Sequence, residues 1–158
     1  MNCKKQKTKP KGYHFTECGL DYVYLINGYE IEKDSDGEEL ITINNAGKLH
    51  RAIARSVLLY KEKLEGQEIR FFRSLLRLTQ EQLGNLLDMS RENIARWENG
   101  KHPPSSQASN LLRIIVWEEY LNEDKAVKFY KEHKKEMKHY KIMEMMDKND
   151  EWELKKAA

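Results

Sequence analysis

The stretch "TQEQLGNLLDMSRENIARWENG", residues 79–100, decides the fold. Thr79 has N-cap chemistry, and Gln82 lies three residues on. That is the spacing at which two side chains satisfy each other's free backbone N–H groups. Leu83, Leu86 and Leu87 then mark the inward face of a first helix, and Asp88-Met89 leave room only for a tight turn. Ser90 caps a second helix, whose inner face is set by Ile94 and Trp97. Gly100 supplies the left-handed residue that ends it. Gly84 costs up to about 1 kcal/mol inside a helix relative to alanine, which close approach of the second helix would offset. Two short capped helices joined by a few residues are a helix-turn-helix.

The outward residues of the second helix carry chemistry. Arg91, Glu92 and Asn93 occupy its first turn, and Arg96 follows one turn later. Arginine presents a planar fork that matches the major-groove acceptors of guanine. Glutamate can accept from the amino group of cytosine, and asparagine can bond a base or a phosphate. Such a helix end, held from behind by Ile94 and Trp97, fits the major groove of DNA. Phosphate contacts are expected from Gln80 at a helix start, Lys101, Arg77 and a basic arm.

Outward from this stretch, "IRFFRSLLRL" (69–78) gives a helical stripe before it. "GKHPPSS" (100–106) is a loop, and "SQASNLLRIIVWEEYL" (106–121) is an apolar, buried helix. Upstream, "YVYLI" (22–26), Asn27-Gly28 and "YEIE" (29–32) form the strongest short-range hairpin signal. "LITI" (40–43) adds a third strand, giving an antiparallel meander. Leu49, Ile53, Val57 and Tyr60 mark a helix that Asn44 or Asn45 can cap and Gly66 breaks. Downstream, Tyr130, His133, Met137 and Tyr140 predict one long polar helix from about 123 to 148.

The expected organisation is therefore α+β and mainly helical. A disordered basic arm (1–12) precedes a β-meander plus helix (13–63). The helix-turn-helix domain (64–121) and a C-terminal helical extension (122–158) follow.

The chain has 158 residues, 34% of them charged, and a net charge of +2. Its charge is uneven. Residues 1–12 carry +5, residues 13–47 carry −7, residues 48–63 carry +4, and residues 64–104 are neutral. A basic arm, an acidic lobe and a basic helix in succession suggest more than one kind of contact. No apolar run approaches the ~18 residues of a membrane span, and "MNCKKQKTKPKG" lacks the apolar segment of a secretory signal. A cytoplasmic location is expected. Cys3 and Cys18 make no disulfide framework. With His14 and His50 they are too scattered for a structural zinc site, so no metal or other cofactor is expected, and Cys18 reads as a small buried residue. Paired carboxylates and a phosphate-cradling glycine loop are missing, which argues against an enzyme.

"TQEQLGNLLDMSRENIARWENG", with "IRFFRSLLRL" before it and a proline-containing loop after it, resembles the Cro/repressor-like (Xre-type) helix-turn-helix family over about residues 67–121. The resemblance implies a five-helix bundle that binds palindromic operators as a homodimer. It also implies a DNA-binding set of Gln80, Ser90, Arg91, Glu92, Asn93, Arg96 and Lys101. The leader "YHFTECGLDYVYLINGYEI" (13–31) resembles antitoxin-type regulators of the MqsA/HigA kind. That implies a repressor of its own operon that neutralises a toxin protein. The alternative is a stand-alone regulator whose N-terminal lobe dimerises or senses a ligand.

Overall fold

A computed structural model describes residues 11–122 and 142–157. Strands come from both flanks of the chain and helices from its middle. The strands are β1 (Tyr13–His14), β2 (Val23–Leu25), β3 (Tyr29–Lys33), β4 (Glu39–Ile43), β5 (Met143–Lys148) and β6 (Glu151–Ala157). The helices are α1 (Ala46–Tyr60), α2 (Gly66–Leu75), α3 (Gln80–Leu87), α4 (Arg91–Glu98) and α5 (Ser106–Ile115), and α5 runs on into a turn of π-helix (Val116–Tyr120).

The meander expected over residues 22–43 is corrected. β3 and β4 do pair antiparallel, but as a separate two-stranded sheet, while β2 joins a four-stranded sheet ordered β1-β2-β5-β6. In it β2 runs parallel to β5, with Val23 opposite Met143 and Leu25 opposite Met145. Asn27-Gly28 is thus a corner between sheets. The Asn27 side chain donates to the Asp147 carbonyl at 2.8 Å and accepts from its N–H at 2.7 Å, which seals β2 onto β5. Gly28 has φ +74, and a Cβ there would sit 2.7 Å from the Trp152 ring. Of the two positive φ values that make Asn-Gly a hairpin signal only that of Gly28 is present, and it serves a partner strand far along the chain.

The long helix expected to reach residue 148 is also corrected. Residues 143–148 are β5, which turns through Asn149 and Asp150 into β6. Both turn residues have positive φ, 56 and 64, the requirement of a tight primed hairpin turn. The rest of that expected helix, 123–141, lies outside the described residues, as does the arm up to residue 10. Within 64–121 there are four α-helices and the π-turn rather than five helices; α1 precedes them. α1 ends at Tyr60, and Gly66 opens α2 instead of breaking α1.

The basic residues of α1 are spent on internal joints. Lys48 pairs with Glu151 at 2.7 Å, and Arg51 donates to the carbonyls of Tyr120 and Leu121, both at 2.8 Å. Arg113 of α5 is buried and donates to four carbonyls at the end of α1: Val57, Leu58, Lys61 and Glu62. A cation there satisfies orphan carbonyls and complements the helix dipole. Lys61 and Glu68 are both buried and lie 3.2 Å apart. Glu68 also accepts from the Tyr22 hydroxyl at 2.7 Å and from the Glu65 N–H at 2.7 Å, so the buried carboxylate is fully bonded. The apolar core is contiguous from Phe15 and Leu25 through Ile53, Phe72 and Ile94 to Trp152.

Candidate nucleic-acid interface

The pair α3–α4 forms as its caps direct. The Thr79 hydroxyl accepts from the Gln82 N–H at 3.1 Å, and the Gln82 side chain accepts from the Thr79 N–H at 2.8 Å. Asp88 turns the chain at φ 55, and Ser90 Oγ accepts from the Asn93 N–H at 3.2 Å. At the far end Gly100 has φ +66; its N–H reaches the Trp97 carbonyl, and the Lys101 N–H reaches that of Arg96. This double bond is the Schellman stop. A Cβ on Gly84 would lie 2.6 Å from the Met89 carbonyl oxygen, so the glycine lets α4 start against α3.

Ile94 and Trp97 are buried behind α4. Leu83 and Leu87 are buried under α3, but Leu86, expected inward with them, is exposed. Arg91, Glu92 and Arg96 are exposed on the outer flank of α4, with Asn93 half-buried. Among the described residues, the side chains of Arg91, Arg96 and Glu92 make no hydrogen bond or ion pair within the molecule. Ser90 and Lys101 are exposed at the two ends of the helix. The Gln80 side chain points the other way and donates from Nε2 to Glu98 at 2.9 Å. Arg77 lies in the connection between α2 and α3, in a groove that no residue of α4 lines.

Glu98, which is not among the expected DNA-binding residues, is the residue that anchors α4. Arg73 of α2 grips its carboxylate with two bonds, 2.6 Å from Nε and 3.0 Å from Nη2, and Gln80 of α3 adds the third. One buried carboxylate therefore ties three helices together and fixes the pose of α4. Burial works against its ionisation, but the bonds from Arg73 and Gln80 and the nearby Arg70 outweigh it and hold the carboxyl below its ordinary value. An acid placed directly after Trp97, on a face that must be buried, was the available signal. The close approach continues at Gly66, where a Cβ would meet the Trp97 carbonyl at 2.3 Å.

This clamp also bears on the electrostatics. Glu68 and Glu98, two of the six acids in residues 64–104, are buried against Lys61 and Arg73. The Glu98–Arg73 pair removes one charge of each sign, but Lys61 lies outside the segment, so the neutral sum understates its surface charge by the one unit of Glu68.

His14 and His50 belong to other contacts. His14 stacks on Tyr24 with centroids 4.5 Å apart, and its Nε2 lies 2.8 Å from the Asp21 carbonyl. His50 tilts against Phe15. Cys18 is half-buried, and burial pushes its thiol up to about 11. No cluster of metal-ligating side chains occurs among the described residues, and no helix there is long and apolar enough to cross a membrane.

Residues 66–114, from the first residue of α2 to the last turn of α5, match the family described as a helix-turn-helix domain. Comparison with curated proteins and with solved structures gave no match.

Proposed function

We propose that this chain is a sequence-specific DNA-binding transcriptional repressor of the Xre type. It acts as a homodimer on a palindromic operator. The observation that carries this reading is the outer flank of α4: Arg91, Glu92 and Arg96 are exposed and unpaired, on a helix whose pose is fixed by the Glu98 clamp. Arg91 and Arg96 read base edges, and Glu92 selects a base that donates. Asn93, Ser90 and Lys101 border the phosphates. Gln80 supports this face through Glu98 and offers its backbone N–H at the start of α3.

Selection from a random DNA pool at fixed salt tests the reading. A two-fold site with half-sites about 34–36 Å apart, or a multiple of that, is the expected result. A pool that enriches nothing beyond non-specific binding would overturn it.

A second element of the proposal concerns a protein partner, the toxin of an antitoxin pair. Its motive is the β3–β4 hairpin. Among the described residues neither edge of this two-stranded sheet is paired further, and Leu40 is 55% exposed beside Glu30, Glu32 and Glu39. An unpaired edge can receive a strand, and carboxylates steer a basic partner such as an RNA-cleaving toxin. Co-expression with the product of the adjoining reading frame should relieve its toxicity, and Glu30→Lys/Glu32→Lys should abolish the relief while leaving DNA selection intact. Equal relief by the variant would remove the hairpin from the argument.

A further inference from the structure

The ends of α2, α3 and α5 enclose a groove of about 420 Å³ that leaves α4 untouched. Leu75, Leu78 and Ile115 line it, and Leu86 stands in it 47% exposed. Leu111 is 42% exposed one helical turn before Ile115, so the apolar face extends along α5. Leu86 and Leu111 are two of the four large apolar side chains that stand exposed among the described residues. The groove also holds Arg77, from the α2–α3 connection, and Glu118 and Glu119, from the π-turn. Among the described residues none of these three has an ion-pair partner.

We propose that this groove is the contact between two copies of the chain related by a two-fold axis. Arg77 of each copy faces the partner's Glu118 and Glu119, with Leu86 and the α5 face between them. The charge pattern selects this occupant. DNA would be repelled by the two glutamates and has no use for the leucines. A uniformly basic protein would face Arg77, and a uniformly acidic one would face the glutamates. A second copy carries both signs in the required places, because a two-fold contact presents the same patch twice. An ordinary interface buries roughly 800 Å² per partner, so the contact takes in the exposed Leu111 side of α5 as well as the groove. The inference deepens the homodimer proposed above and rests on it. A single α4 reads one half-site, so the palindrome is incomplete without the second copy.

Sedimentation equilibrium on the full chain tests this without DNA. The wild type should sediment as a dimer at micromolar concentration. Arg77→Glu, Glu118→Arg/Glu119→Arg and Leu86→Glu should each raise the dissociation constant by at least about tenfold, with far-UV spectra unchanged. An equimolar mixture of Arg77→Glu with Glu118→Arg/Glu119→Arg should restore the dimer, because both contacts then pair opposite charges. A monomeric wild type, folded variants that remain dimeric, or a mixture that stays monomeric would each overturn the proposal. If one charge variant failed to fold, Leu86→Glu alone would decide by the same measurement. A dimer of this behaviour that selects no DNA would count against the reading of α4 and leave this surface standing. The same half-site preference in a monomeric protein would do the reverse.

Discussion

Gly84 and Glu98 set the pose of α4 from its two ends. At Gly84 a methyl group would press on the Met89 carbonyl at 2.6 Å, a backbone atom that cannot swing aside. Alanine would gain about 1 kcal/mol of helix propensity, whereas overpacking costs about 1–3 kcal/mol. Gly84→Ala should therefore lower stability in chemical denaturation, although the same change stabilises an ordinary helix interior. For Glu98, replacement by glutamine keeps the shape and removes the charge-assisted bonds from Arg73 and Gln80, at a cost of about 2 kcal/mol. Its folded carboxyl lies below the ordinary value of 4.5. The stability it adds is thus fully present above that value and is lost as pH falls through the lowered one. The gap in melting temperature between wild type and Glu98→Gln should be constant near neutrality and close as the solution is acidified below 4.5. On the outer flank, Arg91→Ala or Arg96→Ala should cost about 1–3 kcal/mol at a single base pair of the selected site, while Lys101→Ala should weaken binding to every sequence alike and flatten the salt dependence. Binding titrations on single-base variants at two salt concentrations separate these outcomes.

At the scale of elements, the structure follows the sequence where local chemistry decides. The caps at Thr79 and Ser90, the turn at Asp88 and the stop at Gly100 are all satisfied within a few residues of themselves. They were readable for that reason. Asn27-Gly28 shows the limit. Its backbone requirement is local, but the pairing of the strand before it is settled by Met143 and Met145, which are buried against β2. β5 was hidden for a related cause: "IMEMMDK" is rich in methionine, which suits a helix as well as a strand, and helical spacing just upstream carries through it. Leu86 fits the helical stripe of α3, yet the stripe is wider than the surface that α5 and α4 cover. The cations of α1 announce a basic surface, but long-range acceptors at Tyr120, Leu121 and Glu151 engage two of them, Lys48 and Arg51, which stay exposed. Nothing in the local pattern distinguishes a solvated arginine from one that caps a distant helix.

Across the whole molecule, the strands and the helix-turn-helix share a core. Arg113 bonds α5 to the end of α1, and Trp152 of β6 is buried with its Nε1 donating to the Asn44 carbonyl at 2.9 Å. Trp152→Ala should cost about 3–5 kcal/mol. Because the core is contiguous, that loss should lower one cooperative transition. Variants that keep only Trp97 or only Trp152 as the fluorescent reporter should melt at temperatures that differ from each other no more than their far-UV melts do. Two separated transitions would show the lobes unfolding independently.

The parallel union of β2 with β5 has a temporal side. Asn27 and Asp147 meet across 120 residues of chain, so during synthesis the first strands leave the ribosome long before their neighbour exists. The α3–α4 pair, closed by contacts between nearby residues, can form at once, while β2 waits with an open edge. Contacts of such wide sequence separation form slowly, and an uncovered strand invites association with other chains. Translation paused between α5 and β5 therefore leaves a nascent chain that has its α3–α4 pair assembled and its sheet still adhesive.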